Sequence, residues 1–171
     1  HVIDGDIRTD REKLDFGVKN ADLILHLAGQ VAVTSSVVDP VTDFDINARG
    51  TLNILESVRL SGHNPVFIYS STNKVYGALE NIAVTESPTR YVFDTLRFGV
   101  AETRGLDFHS PYGCSKGAAD QYVRDYSRIY GLNTVVFRQS CIYGPHQNGV
   151  EDQGWVAWFM IALTQGKHLT I

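Results

Sequence analysis

Cysteine is nearly absent from this chain: Cys114 and Cys141 are the two in 171 residues, and they stand in unrelated contexts. With no disulfide framework to build on, a reducing cytoplasm is the expected compartment. Long hydrophobic runs are missing too. The longest unbroken one, residues 155–163, falls far short of the roughly 20 residues a membrane helix needs, so no membrane partner is expected. The start, His1-Val2-Ile3-Asp4-Gly5-Asp6, lacks the charged-then-apolar order of a signal peptide. No basic run occurs and the net charge is −4, which argues against nucleic-acid or anionic-membrane partners. The six histidines are scattered, with no HExxH and no paired Cys/His spacing, so no metal site is expected. What is present is an ordinary globular composition, 43% hydrophobic and 20% charged, in a chain long enough for one domain with a core.

The apolar segments alternate in kind. Val2-Ile3 reads as the tail of a strand, and residues 8–20 as a polar helix. Residues 22–28 are a continuous apolar run of strand length. Residues 41–60 are helical, with Phe44, Leu52, Ile54, Leu55 and Val58 at roughly helical spacing and Gly62 beyond the end. Residues 65–70 and 134–138 read as strands. Residues 111–130 form a helix with Gly131 just past it, and residues 152–165 another. Residues 167–171 look like the beginning of a further strand. Strands separated by helices predict βαβ units, hence a parallel sheet with helices on both faces. The stretch 77–110 is long for a loop. Its aromatic and acidic mix (Tyr91, Phe93, Asp94, Glu102) predicts a packed functional segment, a lid or a subunit contact.

The chemistry concentrates between Ser70 and Lys116. Ser70-Ser71-Thr72-Asn73-Lys74-Val75-Tyr76-Gly77 follows a buried strand, and Ser110-Pro111-Tyr112-Gly113-Cys114-Ser115-Lys116 opens a helix. Tyr112 and Lys116 are four apart and so lie on one helix face. A free phenol has a pKa of about 10, and a neighbouring ammonium favours its anion. Bringing it to neutrality takes roughly 4 kcal/mol of differential stabilisation. A hydroxyl at Thr72, on a strand end, can bind the same substrate oxygen. Such a set moves a proton on and off an alcohol beside a hydride acceptor. A Tyr-x-x-x-Lys pair alone is commonly a solvated lysine beside a packed tyrosine; the joint pattern is far more specific.

That joint pattern resembles the extended short-chain dehydrogenases/reductases, in the NAD-dependent epimerase/dehydratase family, over nearly the whole chain. The resemblance implies a Rossmann-type doubly wound α/β fold, bound NAD and a nucleotide-sugar substrate, a CDP-sugar in particular. It implies Tyr112 as general base and acid, Lys116 lowering its pKa and binding the nicotinamide ribose, and Thr72 orienting the reacting hydroxyl. Asp6 and Ile7 would meet the adenine, although an aspartate ahead of a polar helix also reads as an N-cap. Leu27, Ala28, Gly29 and Gln30 would line the cofactor, with small residues letting backbone approach it. His26 reads as packing. Asn47 would support the site, and Ser70, Ser71, Phe137 and Arg138 would lie along the cofactor. Asn73, Lys74, Gln139, Ser140, Gln153 and Trp155 would face substrate, Trp155 stacking on a base whose edge Gln153 reads.

Two departures refine the expectation. Related dehydratases carry a carboxylate pair directly after the Thr, where this chain has Asn73-Lys74. Neither can act as a carboxylate acid, so the resemblance favours epimerisation, at C2 through a transient 2-keto sugar. A 4-epimerase or dehydratase is the alternative. The G-x-G-x-x-G turn that grips a pyrophosphate is absent. Residues 1–171 are therefore expected to be a partial NAD-binding domain, a fragment lacking the first βαβ unit and most of the C-terminal substrate lobe, with 144–171 entering the substrate-binding part. The missing turn also leaves open a non-catalytic NAD-binding remnant. A homo-oligomer is expected.

Overall fold

The computed structural model describes residues 2–151 and 153–169. In chain order the elements are α1 (Arg11–Lys19), β1 (Leu23–His26), α2 (Val33–Val38), α3 (Pro40–Phe44), a π-helical turn (Asp45–Arg49), α4 (Gly50–Ser61), β2 (Val66–Thr72), a 3-10 turn (Asn73–Tyr76), β3 (Val84–Glu86), β4 (Tyr91–Phe93), α5 (Ser110–Tyr130), β5 (Thr134–Gln139) and α6 (Trp155–Thr164). β1, β2 and β5 form a parallel sheet in the order β1-β2-β5. Successive side chains of a strand point to opposite faces. Ile24, Phe67, Tyr69 and Val136 therefore share one face. It is covered by Val18 of α1, Ile54, Leu55 and Val58 of α4, and Ala119, Val123 and Tyr126 of α5. Phe67, Tyr69, Leu55 and Val123 are fully buried there, each such side chain contributing about 1.5–3 kcal/mol.

The other face differs from expectation. Leu25 and Phe137 remain 57% and 49% exposed, and all the core helices lie on the opposite side of the sheet. Val2 and Ile3 form no ladder with β1, so the expected strand tail is exposed chain outside the sheet.

The helix expected at 41–60 runs instead from Pro40 to Ser61, with the π-helical turn inside it. α2 was not expected, because Val33-Thr34-Ser35-Ser36-Val37-Val38 is β-branched and serine-rich, a weak helix former that tertiary packing overrides. Gly62 and Gly131 end α4 and α5 with left-handed φ values of 69° and 70°, a conformation glycine adopts without penalty. α6 begins at Trp155, three residues later than expected, and Asp152 lies outside the described residues. Residues 167–169 form no strand, and residues 170–171 also lie outside the described part.

Residues 77–110 are ordered by a β3–β4 antiparallel hairpin, Val84 opposite Phe93. The segment is tied down at its base. The Asp107 amide donates to the Val75 carbonyl at 3.0 Å, and the Phe108 ring lies on Gly117 of α5, where a Cβ would collide with it.

Candidate active site

Four chain segments converge at the carboxyl ends of β1 and β2. β2 brings Ser70, Ser71 and Thr72, and the loop after β1 brings Gly29 and Gln30. The π-helical turn brings Asn47, and the first turns of α5 bring Tyr112, Ser115 and Lys116. π turns are frequent at functional sites because the extra residue re-aims a helix face. α5 starts under constraint: Ser110, ahead of Pro111, has a left-handed φ of 67°, and its hydroxyl accepts the Gly113 amide at 3.2 Å.

Lys116 is buried at 6% exposure. Its Nζ donates to the Ser70 carbonyl at 2.6 Å and stands 4.4 Å over the Tyr69 ring. Burial depresses its pKa to about 8, while Asp43 and Asp120 act in the opposite direction. Tyr112 is half-buried, and burial raises its pKa; the Thr72 hydroxyl beside it works the other way. The ammonium is turned to Ser70 and Tyr69, and the group that favours the phenolate is Thr72.

Behind these residues lies a buried polar cluster. Asn47 Oδ1 accepts the Gln30 amide at 2.9 Å. Asn47 Nδ2 donates to Asp43 Oδ1 and to Ser115 Oγ, each at 3.1 Å. Ser115 Oγ donates to Asp43 Oδ2 at 2.5 Å. Burial raises the Asp43 pKa, with Ser115 and Lys116 opposing. Sequence reading missed Asp43 and Ser115. Their signal was present in the spacing: Asp43 is one helical turn before Asn47, and Ser115 adjoins Lys116. His26 packs at 3% exposure, its Nε2 2.8 Å from the Thr51 hydroxyl. That hydroxyl donates to the Asn47 carbonyl at 2.6 Å, so Nε2 carries the imidazole proton. Desolvation pushes His26 down to about 3, which keeps it neutral.

The other expected residues divide. Gly29 sits close in: a Cβ there would lie 3.0 Å from Asn47 Oδ1 and 3.8 Å from Lys116 Nζ. Leu27 and Ala28 are exposed. Gln30 folds its side-chain amide onto the backbone of Ala32. Ser70 Oγ donates to Gln139 Oε1 at 2.9 Å, while Ser140 is exposed. Asn73 Oδ1 accepts weakly from Thr72 Oγ1 at 3.4 Å, and the Lys74 side chain is exposed.

Ser71 donates to Asp120 at 2.9 Å. Arg138 grips the same carboxylate through two 2.8 Å bonds and donates to the Tyr76 hydroxyl at 2.9 Å, so its guanidinium holds the sheet to α5. Gln153 Nε2 donates to the Val31 carbonyl at 2.6 Å, and Trp155 is 56% exposed, its ring edge on Phe159. Phe137 lies on the open sheet face.

Asp6 and Ile7 belong to a different crevice of about 360 Å³, with Leu14, Val18 and Ile24. Asp6 is not the α1 cap, a position held by Asp10. Arg8 binds the Asp6 carboxylate at 2.6 Å and holds its pKa down to about 2. Ile7 is docked on Gly50 and its carbonyl accepts from Asn53.

The site fits a dinucleotide ribose in donor chemistry. An ammonium has three N–H groups, the Lys116 ammonium gives one to Ser70, and Gly29 keeps side chains out of its approach.

A parallel sheet with a strand-end threonine at its carboxyl edge, beside a helix start that carries a tyrosine and a lysine, is a Rossmann-type α/β fold with polar groups gathered at the edge where such folds bind ligands. The chain belongs to the NAD dependent epimerase/dehydratase family, whose profile matches residues 1–171. It is 55% identical to a CDP-paratose 2-epimerase of Salmonella typhi over 92% of this chain and 47% of that protein. It is 34% identical to a dTDP-glucose 4,6-dehydratase of Mycolicibacterium smegmatis over 86% of this chain and 40% of that one. The crystal structure of Thermus thermophilus UDP-glucose 4-epimerase in complex with NAD superposes with a TM-score of 0.78 at 30% identity, covering 98% of this chain and 49% of that one. The chain thus spans about half the length of these relatives.

Proposed function

We propose that the protein is an NAD-dependent nucleotide-sugar epimerase that inverts C2 of CDP-paratose to give CDP-tyvelose. The observation that carries this reading is the 55% identity to a CDP-paratose 2-epimerase, in a chain that keeps Thr72, Tyr112 and Lys116 at one strand-end site. NAD, when bound, supplies a reversible two-electron acceptor, and the sugar passes through a 2-keto form. Tyr112 takes the C2 hydroxyl proton and returns it to the opposite-handed product. Thr72 holds that oxygen and favours the Tyr112 anion. Lys116 offers its remaining N–H groups to the ribose hydroxyls and its charge to the phenolate. Gly29, Asn47, Ser70 and Ser71 shape the cofactor side, with Leu27, Ala28, Gln30, Phe137 and Arg138 around it and Asp6 and Ile7 at the adenine end. Asn73, Lys74, Gln139, Ser140, Gln153 and Trp155 serve the sugar nucleotide. Residues 1–171 form part of the NAD-binding domain, with 144–171 entering the substrate-binding part of a cytoplasmic homo-oligomer.

Supplying the whole protein with CDP-paratose and with UDP-hexoses in parallel tests this. CDP-tyvelose seen by NMR, with NAD released on denaturation at near one per chain, is the expected result. Turnover of a UDP-hexose in place of CDP-paratose would make it a 4-epimerase. Absence of both turnover and NAD would make it a non-catalytic relative.

A further inference from the structure

We propose that Asp43 is a positioning residue of this site: its buried carboxylate fixes the Ser115 hydroxyl and the Asn47 amide and supplies the counter-charge that faces the Lys116 ammonium. The inference rests on Lys116 being part of the site proposed above. At 1% exposure a carboxylate must be hydrogen-bonded or paired. Asp43 has Asn47 Nδ2 on one oxygen and Ser115 Oγ on the other. Among the described residues no Lys, Arg or His lies within ion-pair distance of it.

An ionised carboxylate only accepts. It therefore forces the NH2 of Asn47 toward itself and leaves Oδ1 for the Gln30 amide, which pins the loop carrying Gly29. Ser115 has a single hydroxyl hydrogen. Donating it to Asp43 while accepting from Asn47 locks the turn of α5 that also carries Lys116.

The charge argument points the same way. Lys116 is faced by Asp43 from α3, Asp120 from its own helix, the Tyr69 ring and Ser70 carbonyl from β2, and neutral His26 from β1. Burial raises the pKa of both Tyr112 and Tyr69, so neither is the counter-charge in the resting protein. Asp120 is already matched by the bidentate Arg138. Of the two carboxylates that favour the Lys116 ammonium, Asp43 acts the more strongly and is the one without a guanidinium partner.

The test is a pH titration of the whole protein labelled with 13C,15N-lysine, the Lys116 signal being identified by its loss in Lys116→Met. Asp43→Asn keeps the shape and removes the charge. The Lys116 midpoint is expected to fall by about one pH unit, the size of losing one nearby opposite charge, with the alkaline limb of turnover following it. An unmoved midpoint in folded Asp43→Asn overturns the proposal. If that variant does not fold, Ser115→Ala decides. It should speed solvent exchange of the Gln30 amide several-fold, and Ser115→Thr should restore protection; unchanged exchange in Ser115→Ala overturns the proposal. Neither reading depends on CDP-paratose being the substrate, so failure of the epimerase assignment and failure of this inference are distinguishable.

Discussion

Tyr112 and Lys116 show how one helical turn carries chemistry and cost together. Replacing Tyr112 by Phe removes the hydroxyl proposed to transfer the proton and leaves the ring. Turnover should fall about 10²–10⁴-fold, the usual range for a general acid–base group, while NAD stays bound, as mass spectrometry of the denatured variant would show. An active Tyr112→Phe protein would remove this residue from the mechanism. Lys116 costs stability, because its pKa falls from 10.5 to about 8 on folding. Between about pH 8 and 10.5 the unfolded chain holds a proton that the folded one has released, so stability rises with pH across that window and the full cost is felt below it. Lys116→Met should therefore stabilise the cofactor-free protein by about 1–3 kcal/mol at pH 7, with the gain shrinking above pH 8, in denaturant titrations at both pH values. The same variant should lose turnover. That Tyr112 and Lys116 stand one turn apart at the start of α5, with Thr72 at the end of β2, was legible from residue type and spacing. Where the Lys116 ammonium points was not, because the Ser70 carbonyl that takes it is 46 residues away in sequence.

At the scale of elements, α5 is the hub: it carries the site at its start and meets β2, β5, α4 and the 77–110 segment along its length. Gly117 makes the last contact possible, since a side chain there would occupy the space of the Phe108 ring. Gly117→Ala should destabilise the protein by about 1–3 kcal/mol through overpacking. Adding Phe108→Leu should recover part of the loss, measured as the midpoint of chemical denaturation. A double variant no better than the single one would mean that Phe108 is not the obstruction. α4 and α5 were readable from their apolar spacing and terminal glycines. α2 and the π-helical turn were not, because the propensities of Val33–Val38 oppose a helix and no local pattern announces an extra residue within a turn.

Across the whole molecule, a buried ion pair fastens the sheet to its helical layer. Asp120 is fully buried and accepts from Arg138, Ser71 and Gln121, joining β5, β2 and α5. Arg138→Leu would leave that carboxylate without its charge partner, and a loss of about 3–5 kcal/mol is expected in thermal or denaturant unfolding. Little change would show that Ser71 and Gln121 suffice to hold the charge. The other face of the sheet, with Leu25, Val135 and Phe137 exposed, carries an apolar surface that soluble monomers rarely leave open.

The sequence by itself determined the three strands of the parallel sheet, the helices α1, α4, α5 and α6, and the trio Thr72, Tyr112 and Lys116. Those follow from periodicity and from spacing within a few residues, which local geometry translates directly. Tertiary structure alone decided that Asp43, Asn47 and Ser115 meet, that Arg138 is spent on Asp120, and which face of the sheet the helices cover. These depend on groups distant in sequence sharing one buried volume, where each polar atom must find a partner and each charge a counterpart, and a linear pattern does not encode that choice.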